Sequence, residues 1–411
     1  MKLLHFSDVH IGVESYGFTD DATGLNSRLM DFLHTFDQVV EFAINNKVDA
    51  VLFAGDAYKS RDPSQTHQRE FARRIAYLSD QGVPTFLLLG NHDLPHIASR
   101  ATALDIFNTL SVPNITIGDG LETYKLDTKS GPLQVISLPW IRRSSFLARE
   151  EARNLSIDQV NQEIQKRVTS LVENEIRLLD QSVPAVLVAH ISLNTAKTSS
   201  EQSMMLGRDP ILMQSTLAST SLDYVALGHI HKHQVLSKNP YVVYSGSLER
   251  VDFGEENDEK GFCVLEIDPS LPSGKRLRDF TFHKVNARRF LTIEVEAKTG
   301  EDPTVETLKE INRSHFREAI VRVKITMPQE IETLFREDEV RLALSEAKLV
   351  TPIVRQIQRE ARTRLGDLKI KELSPKEALR KYLQSTKVKP SRMKELLMYG
   401  EALIKDEFEP D

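Results

Sequence analysis

The 411-residue chain is 40% hydrophobic and 27% charged, with a net charge of -6, the balance of a globular protein too long for a single core, so two or three units are predicted. No apolar run approaches the roughly 18 residues of a membrane span, and the first strand-like stretch follows Lys2 without a cleavable signal, so the sequence predicts a cytoplasmic protein with no membrane partner. The lone cysteine, Cys263 in the apolar run GFCVLEI, excludes a disulfide framework and a thiolate zinc site.

KLLHFS predicts a first strand, and the helix after it has Leu29, Phe32, Leu33, Phe36, Val39, Val40 and Ala43 spaced three and four apart on one face. Then follow AVLFAG, a helix near 66–79, TFLLLG, a helix near 99–110, and the strands AVLVAH and YVALGH. This alternation marks a layered α/β fold. Over 123–137 and 234–285 strands succeed one another without helices, so mixed sheets are expected. From about Asn286 the pattern changes to a small α+β unit: RRFLTIEVEA, a helix from about Val305, and EAIVRVKITM. Next comes a basic linker. From Ile353 to Glu395 there are 13 Lys and Arg against 5 Asp and Glu, a net +8, which leaves -14 for the rest of the chain. Such a basic tail suits nucleic acid or an acidic partner, or is only a solvated helical surface. SPKE at Ser374–Glu377 has the form of a capping box with Pro at the first helical position. It opens a helix bearing Leu379 and Leu383; a second helix carries Met393, Leu396, Leu397 and Leu403. The expected units are 1–285, 286–350, the linker 351–372, and the helical segment 373–408.

What matters is where the strands end. FSDVH, FAGDAY, LLGNHD, VAH and LGHIH each close an apolar run with chemistry-bearing residues: Asp8, His10, Asp56, Asn91, His92, Asp93, His190, His229 and His231. The carboxyl ends of strands form the ligand crevice of open α/β sheets. One such ending is ordinarily a turn or cap, but five converging, all with N or O donors, form a candidate metal centre. Carboxylate, amide and imidazole ligands suit Mn, Fe or Zn. Seven candidate ligands (Asp8, His10, Asp56, Asn91, His190, His229 and His231) exceed one ion's needs, so two ions about 3.5 to 4 Å apart are expected, with Asp56 bridging them. Asn91 would offer its carbonyl oxygen, leaving His92 to face the substrate. Asp93 would either orient the site by hydrogen bonds behind the ligands or cap the helix that follows.

The ordered set D-x-H, GD, GNHD, H, GHxH, present here as SDVH, AGDA, GNHD, AHI and GHIH, resembles the motifs of the calcineurin-like metallophosphoesterases. YSGSLERVDFGEENDEKGF, after LGHIHKHQ, looks like the corresponding stretch of the SbcD family of DNA nuclease subunits, relatives of the meiotic recombination nuclease. The resemblance implies a four-layer metallophosphoesterase sandwich of two mixed β-sheets flanked by helices, with a small α+β capping domain and C-terminal helices. It implies that Asp8, His10, Asp56 and His231 hold one ion and Asp56, Asn91, His190 and His229 the other. His92 would be the catalytic histidine, serving the leaving 3′ oxygen, with Asp93 beside it. The implied activity is Mn-dependent DNA hydrolysis by two-metal in-line attack (Mg, Fe or Zn also serving in vitro), as a double-strand exonuclease and a single-strand or hairpin endonuclease. The implied partners are DNA and an SbcC-type coiled-coil ATPase, in a heterotetramer built on a homodimer. Some relatives have a second histidine three residues after the bridging Asp, where this chain has Lys59; this leaves the balance of exo- and endonuclease action open. Lys59, Arg61, Arg142 and Arg143 are candidate DNA contacts. Leu379, Leu383, Met393, Leu396, Leu397 and Leu403 are candidate contacts for the ATPase, with a self-packing hairpin as the other reading. The alternative activity is a phosphatase or cyclic nucleotide phosphodiesterase of the same superfamily acting on small substrates.

Overall fold

A computed structural model of the chain describes residues 1–95, 97, 100–142, 155–198, 210–358, 375–385 and 390–408. In chain order the first half contains β1 Lys2–Phe6, α1 Ser27–Asn45, β2 Ala50–Phe53, α2 Gln65–Asp80, β3 Thr85–Leu88, α3 Asp105–Thr109, β4 Ile115–Gly118, β5 Glu122–Thr128, β6 Gly131–Leu138 and α4 Ile157–Leu178. There follow β7 Ala185–His190, β8 Ser192–Leu193, β9 Ile211–Leu212, α5 Gln214–Leu217, β10 Tyr224–Gly228, β11 Gln234–Lys238, β12 Tyr241–Tyr244, β13 Gly261–Ile267 and β14 Leu277–Lys284. The remainder comprises β15 Phe290–Glu296, α6 Pro303–Arg313, β16 Ile320–Pro328, α7 Glu337–Ala343, β17 Leu349–Val350, β18 Val354–Gln358, α8 Pro375–Ser385 and α9 Pro390–Phe408.

Strands β1, β2, β3, β7 and β10 are apolar on both faces, as strands covered on both sides must be. In β1–β3, Leu4, Phe6, Val51, Phe53 and Leu87 turn toward α1 and α2, which present Phe36, Val40, Phe71 and Ile75. The alternate residues Leu3, Leu52, Phe86 and Leu88 meet Val135, Val186, Val188 and Ala226 of a second sheet. That sheet's outer face, with Leu187 and Val225, lies against Ile164, Val168 and Val172 of α4. The result is four layers, helix, sheet, sheet and helix. Both sheets have six strands and mixed pairing, in the orders β14-β13-β1-β2-β3-β4 and β11-β12-β10-β7-β6-β5. The expected architecture is thus present, with one element shorter than the spacing predicts: α3 spans Asp105–Thr109 rather than 99–110.

The second unit is a four-stranded sheet in which β16 pairs in parallel with β15, β17 and β18. Its last strand, β18, runs through Gln358, so the sheet extends into the stretch assigned above to the linker 351–372. Alternation hides there because Val354–Gln358 is an exposed edge with only Ile357 as an inward apolar residue. Phe253 joins the two units by packing on Phe290 and Ile320. Arg288 binds Asp31 of α1 across the same junction at 2.7 Å, and Arg28, one turn back on that helix, binds the same carboxylate at 2.7 Å.

The helices α8 and α9 pack as a hairpin. Gly400 lets Leu379 approach α9 closely, since a Cβ there would overlap the leucine, and Lys376 pairs with Glu401 at 3.0 Å. Of the predicted partner-binding residues, Leu383 is buried, Leu379, Met393, Leu396 and Leu397 are half-buried, and Leu403 is exposed. Leu383 therefore packs inside the hairpin. Tyr382, Met398 and Tyr399, not among the candidates, are exposed beside them in sequence. Ser374, the first residue of the expected capping box, lies outside the described residues. Among the described residues no helix is long and apolar enough to cross a membrane.

Candidate metal centre

The strand ends of both sheets meet at one place because the chain turns sharply after each of them. Asp8, His10, Asp56 and His229 have φ of 53°, 48°, 63° and 92°, a left-handed region that few non-glycine residues occupy and that marks functional sites. Asp, Asn and His enter it most readily, and they are also the donors a metal needs. Gly90 has no Cβ to run into the Asp56 carboxylate. The first sheet contributes Asp8 and His10 after β1, Asp56 after β2, and Asn91, His92 and Asp93 after β3; the second contributes His190 at the end of β7 and His229 and His231 after β10. Asn91 and His92 are half-buried and the other seven are buried.

Distances place the seven predicted ligands together. His10 Nε2 lies 2.9 Å from His231 Nε2, 3.8 Å from Asp8 and 3.7 Å from Asp56. His190 Nε2 is 3.3 Å from Asp56 Oδ2 and 3.0 Å from Asn91 Oδ1, which is 3.0 Å from His229 Nδ1. Three groupings have ligand atoms close enough to share an ion: Asp8, His10 and His231; His10, Asp56 and His92; and Asp56, His190 and His229.

The far sides of the rings fix which nitrogens face inward. His190 Nδ1 lies 2.7 Å from the Ala54 carbonyl, and His231 Nδ1 lies 2.7 Å from a Glu255 carboxylate oxygen. Both partners accept only, so each Nδ1 carries a hydrogen, and the lone pair of the neutral form of each ring lies at Nε2. Carboxylate oxygens, an amide oxygen and imidazole lone pairs thus converge, the donor set that divalent ions satisfy. The residues fit a pair of ions.

The electrostatics agree. Burial, then the neighbouring His231, holds His10 well below its ordinary pKa, and burial followed by His190 does the same to His229; both rings are neutral, as ligands must be. For His190, burial works downward but the Asp56 charge outweighs it and lifts the pKa to about 9. Burial also opposes ionisation of Asp56, yet the surrounding histidines, His190 first, hold it well below the usual carboxylate range. Burial raises Asp8 to about 6.

His92 stands at the edge of the cluster, its ring 5.1 Å from that of His10, with its Nδ1 2.8 Å from the Lys59 carbonyl and its backbone N–H donating to Asp56 Oδ1 at 2.8 Å. The carboxylate of Asp93 bonds to the backbone behind the ligands. It accepts from the N–H groups of Asp56 (2.8 Å), Ala57 (2.9 Å) and Gly90 (2.9 Å), tying the loop after β2 to the loop after β3. Among the described residues no helix begins directly after Asp93, and α3 begins at Asp105. A buried carboxylate between two loops satisfies the amides around it.

Of the DNA-contact candidates, Lys59 is half-buried, with burial lowering its pKa, and Arg61 is exposed. Arg142 donates to the Pro95 carbonyl at 2.7 Å, and its pKa falls through burial and the nearby charge of Arg61, so the two arginines are neighbours. Arg143 lies outside the described residues. Arg142 also lines a cleft of about 380 Å³ with Arg100, Leu94 and Trp140.

Two residues were missed in the sequence. The ring of Trp140 packs 4.8 Å from His229 and 6.1 Å from His190, walling the second-sheet ligands. It follows the β6 run VISLPW, so the strand-ending rule that found the ligands also points to it. Glu255, behind His231, sits in the middle of the GEEN run, where no periodicity distinguishes it from its neighbours.

Comparison with known proteins follows the same lines. The family model of the calcineurin-like phosphoesterases matches residues 1–233. The SbcD subunit of the SbcCD nuclease of Staphylococcus epidermidis is 26% identical over 319 residues, 77% of this chain and 77% of its own. The DNA double-strand break repair protein Mre11 of Aeropyrum pernix is 26% identical over 305 residues, 73% of this chain but 64% of its own, just under two thirds. Among solved structures, a dimetal phosphatase from Danio rerio aligns over 70% of this chain and 99% of its own, at 10% identity and a TM-score of 0.37.

Proposed function

From the premise that the chain belongs to the calcineurin-like phosphoesterase family, we propose that it is the nuclease subunit of an SbcCD-type DNA repair complex, cutting DNA phosphodiester bonds in the cytoplasm with two divalent ions. The observation that carries this reading is the convergence of Asp8, His10, Asp56, Asn91, His190, His229 and His231 from five strand ends of two sheets, with His92 beside them. The likeness to relatives named as an SbcCD subunit and as a double-strand break repair protein supports DNA as substrate. Mn, with Fe and Zn, is among the ions that the mixed O and N donors suit.

Asp8, His10 and His231 would hold one ion, Asn91, His190 and His229 the other, with Asp56 between them. The ions would supply an acidified water and neutralise charge developing on the phosphate. The chain does the rest. His92 is anchored through Nδ1, so its Nε2 is the end that exchanges a proton with the leaving 3′ oxygen. Burial keeps that ring neutral in the free protein; an incoming phosphate favours the imidazolium, which then donates. Asp93 holds the loops that carry Asp56 and Asn91 in register. Arg61 and Arg142 meet phosphate oxygens flanking the cut. The α8–α9 hairpin, with Tyr382, Met398, Tyr399 and Leu403 exposed, is the element offered to an ATPase that controls the activity, in an assembly built on a dimer of this chain.

The test is cleavage by purified protein with Mn. Degradation of linear duplex and nicking of single-stranded DNA are expected. Efficient hydrolysis of a small phosphomonoester with no cut DNA would refute the nuclease and favour the phosphatase.

A further inference from the structure

Behind the metal centre lies a buried charge system that no ligand motif includes. Glu255 and Lys260 both have fully buried side chains and are 2.7 Å apart. Lys260 Nζ also reaches Ser247 Oγ at 2.8 Å and the His231 carbonyl at 3.2 Å. The second Glu255 oxygen receives the Nδ1 of His231 at 2.7 Å, while the first also accepts from Val251 N–H at 3.1 Å. A buried ion pair is a poor source of stability, since desolvation offsets its attraction. Its position on a ligand ring gives it another use. A carboxylate on the outer nitrogen of a histidine fixes the tautomer and ring orientation and strengthens the inner nitrogen as a donor.

The turn that carries Glu255 is gripped from the second unit. Phe253 packs 4.9 Å from the Phe290 ring and under the Arg322 guanidinium at 4.2 Å. Glu256 accepts from Thr292 N–H at 2.7 Å and from its hydroxyl at 2.6 Å. Residues 253 and 256 therefore belong to the junction with the second sheet, while residue 255 belongs to the metal centre.

We propose that Glu255 is the positioning residue of His231, and that its anchorage on the second unit makes ion affinity at the Asp8, His10 and His231 cluster depend on how that unit is seated. The inference rests on the metal-centre reading above. The junction then works on the site without contributing a ligand.

The experiment titrates Mn into the full-length protein by calorimetry and reads the His231 tautomer in nitrogen-15 spectra of the ion-free protein. Wild type should take up two ions and show Nδ1 protonated. Replacing both charges by apolar residues, Glu255→Leu with Lys260→Met, avoids an orphaned buried ion and should leave the fold intact. It should weaken one ion about 10- to 100-fold, spare the other, and release the tautomer. Glu255→Gln with Lys260→Met restores an acceptor and should recover most of the affinity. Glu256→Ala, which cuts only the junction, should weaken the same ion about 2- to 30-fold. Wild-type affinity and tautomer in the Leu/Met variant would overturn the positioning role, and wild-type affinity in Glu256→Ala would overturn the dependence on the second unit. Failure of wild type to take up any ion would instead count against the metal centre itself.

Discussion

Asp93→Ala removes the carboxylate that accepts from three buried N–H groups, those of Asp56, Ala57 and Gly90. An unsatisfied buried amide costs about 1–3 kcal/mol, so the three together cost about 3–9 kcal/mol. That is a large part of the roughly 5–15 kcal/mol by which a domain is stable. Asp93→Asn is milder. Its carbonyl oxygen can take the place that serves Asp56 and Gly90, while its NH₂ opposes the Ala57 N–H; one lost bond costs about 1–3 kcal/mol. At about 2–4 °C per kcal/mol for domains of this size, the Asn variant should melt about 2–12 °C below wild type. The Ala variant should fall further or fail to fold. Thermal unfolding followed by circular dichroism, with chelator present so that ions play no part, measures both. An Asp93→Ala protein that melts with the wild type would refute the assignment of Asp93 to the backbone. A soluble Asn variant that takes up two ions but turns over slowly would show the loops displaced rather than the ligands lost.

His92→Ala should slow DNA cleavage by about 10²–10⁴-fold while ion uptake by calorimetry stays near wild type, because the backbone bond from residue 92 to Asp56 survives the substitution. Saturating the centre with Mn should raise the melting point, by adding about 2.7 kcal/mol of stability per site at 100 times Kd, and chelator should reverse it; an unmoved melting curve would remove the ions from the folded state. His190, raised to about 9 by Asp56 against its burial, is protonated at pH 7 in the ion-free protein. Ion uptake must displace that proton, so affinity should climb as pH rises toward 9. Calorimetry in buffers of differing ionisation enthalpy should detect the released proton. Arg142→Ala should weaken binding of all DNA sequences alike and flatten the logarithmic salt dependence by about one unit; a sequence-dependent loss would give Arg142 another role.

The legible parts of the fold and site share a physical origin. Strands apolar on both faces announce a sheet covered on both sides, and short polar residues closing them announce a crevice; both signals are local. Ile157–Leu178 was equally local, with Ser156 and Gln159 forming a capping box and Ile164, Val168 and Val172 on one face, yet it is absent from the elements predicted above. The short α3 misleads in the opposite direction, because apolar spacing around Leu104 and Phe107 serves a loop packed on the first sheet. Asp93 was picked out with its role left open between orienting the site and capping a helix, and Glu255 was beyond reach of pattern. Each acts through contacts 24 to 37 residues away, and a carboxylate that binds amides is spelled like one that binds a metal. Lys260 in a charged run reads as surface, and only packing reveals it as buried.

In the two ligand sets proposed above, each ion draws on both sheets. Asp8, His10, Asp56 and Asn91 arrive on one layer, His190, His229 and His231 on the other, and the partners His10 and His231 are 221 residues apart in the chain. On those sets the full pair of ions would be held only after both layers have docked, so the ions would rivet a finished sandwich rather than nucleate its folding. Truncation within either layer should yield a fragment that no longer takes up two Mn ions, and slippage of one layer against the other would register first as escaping metal.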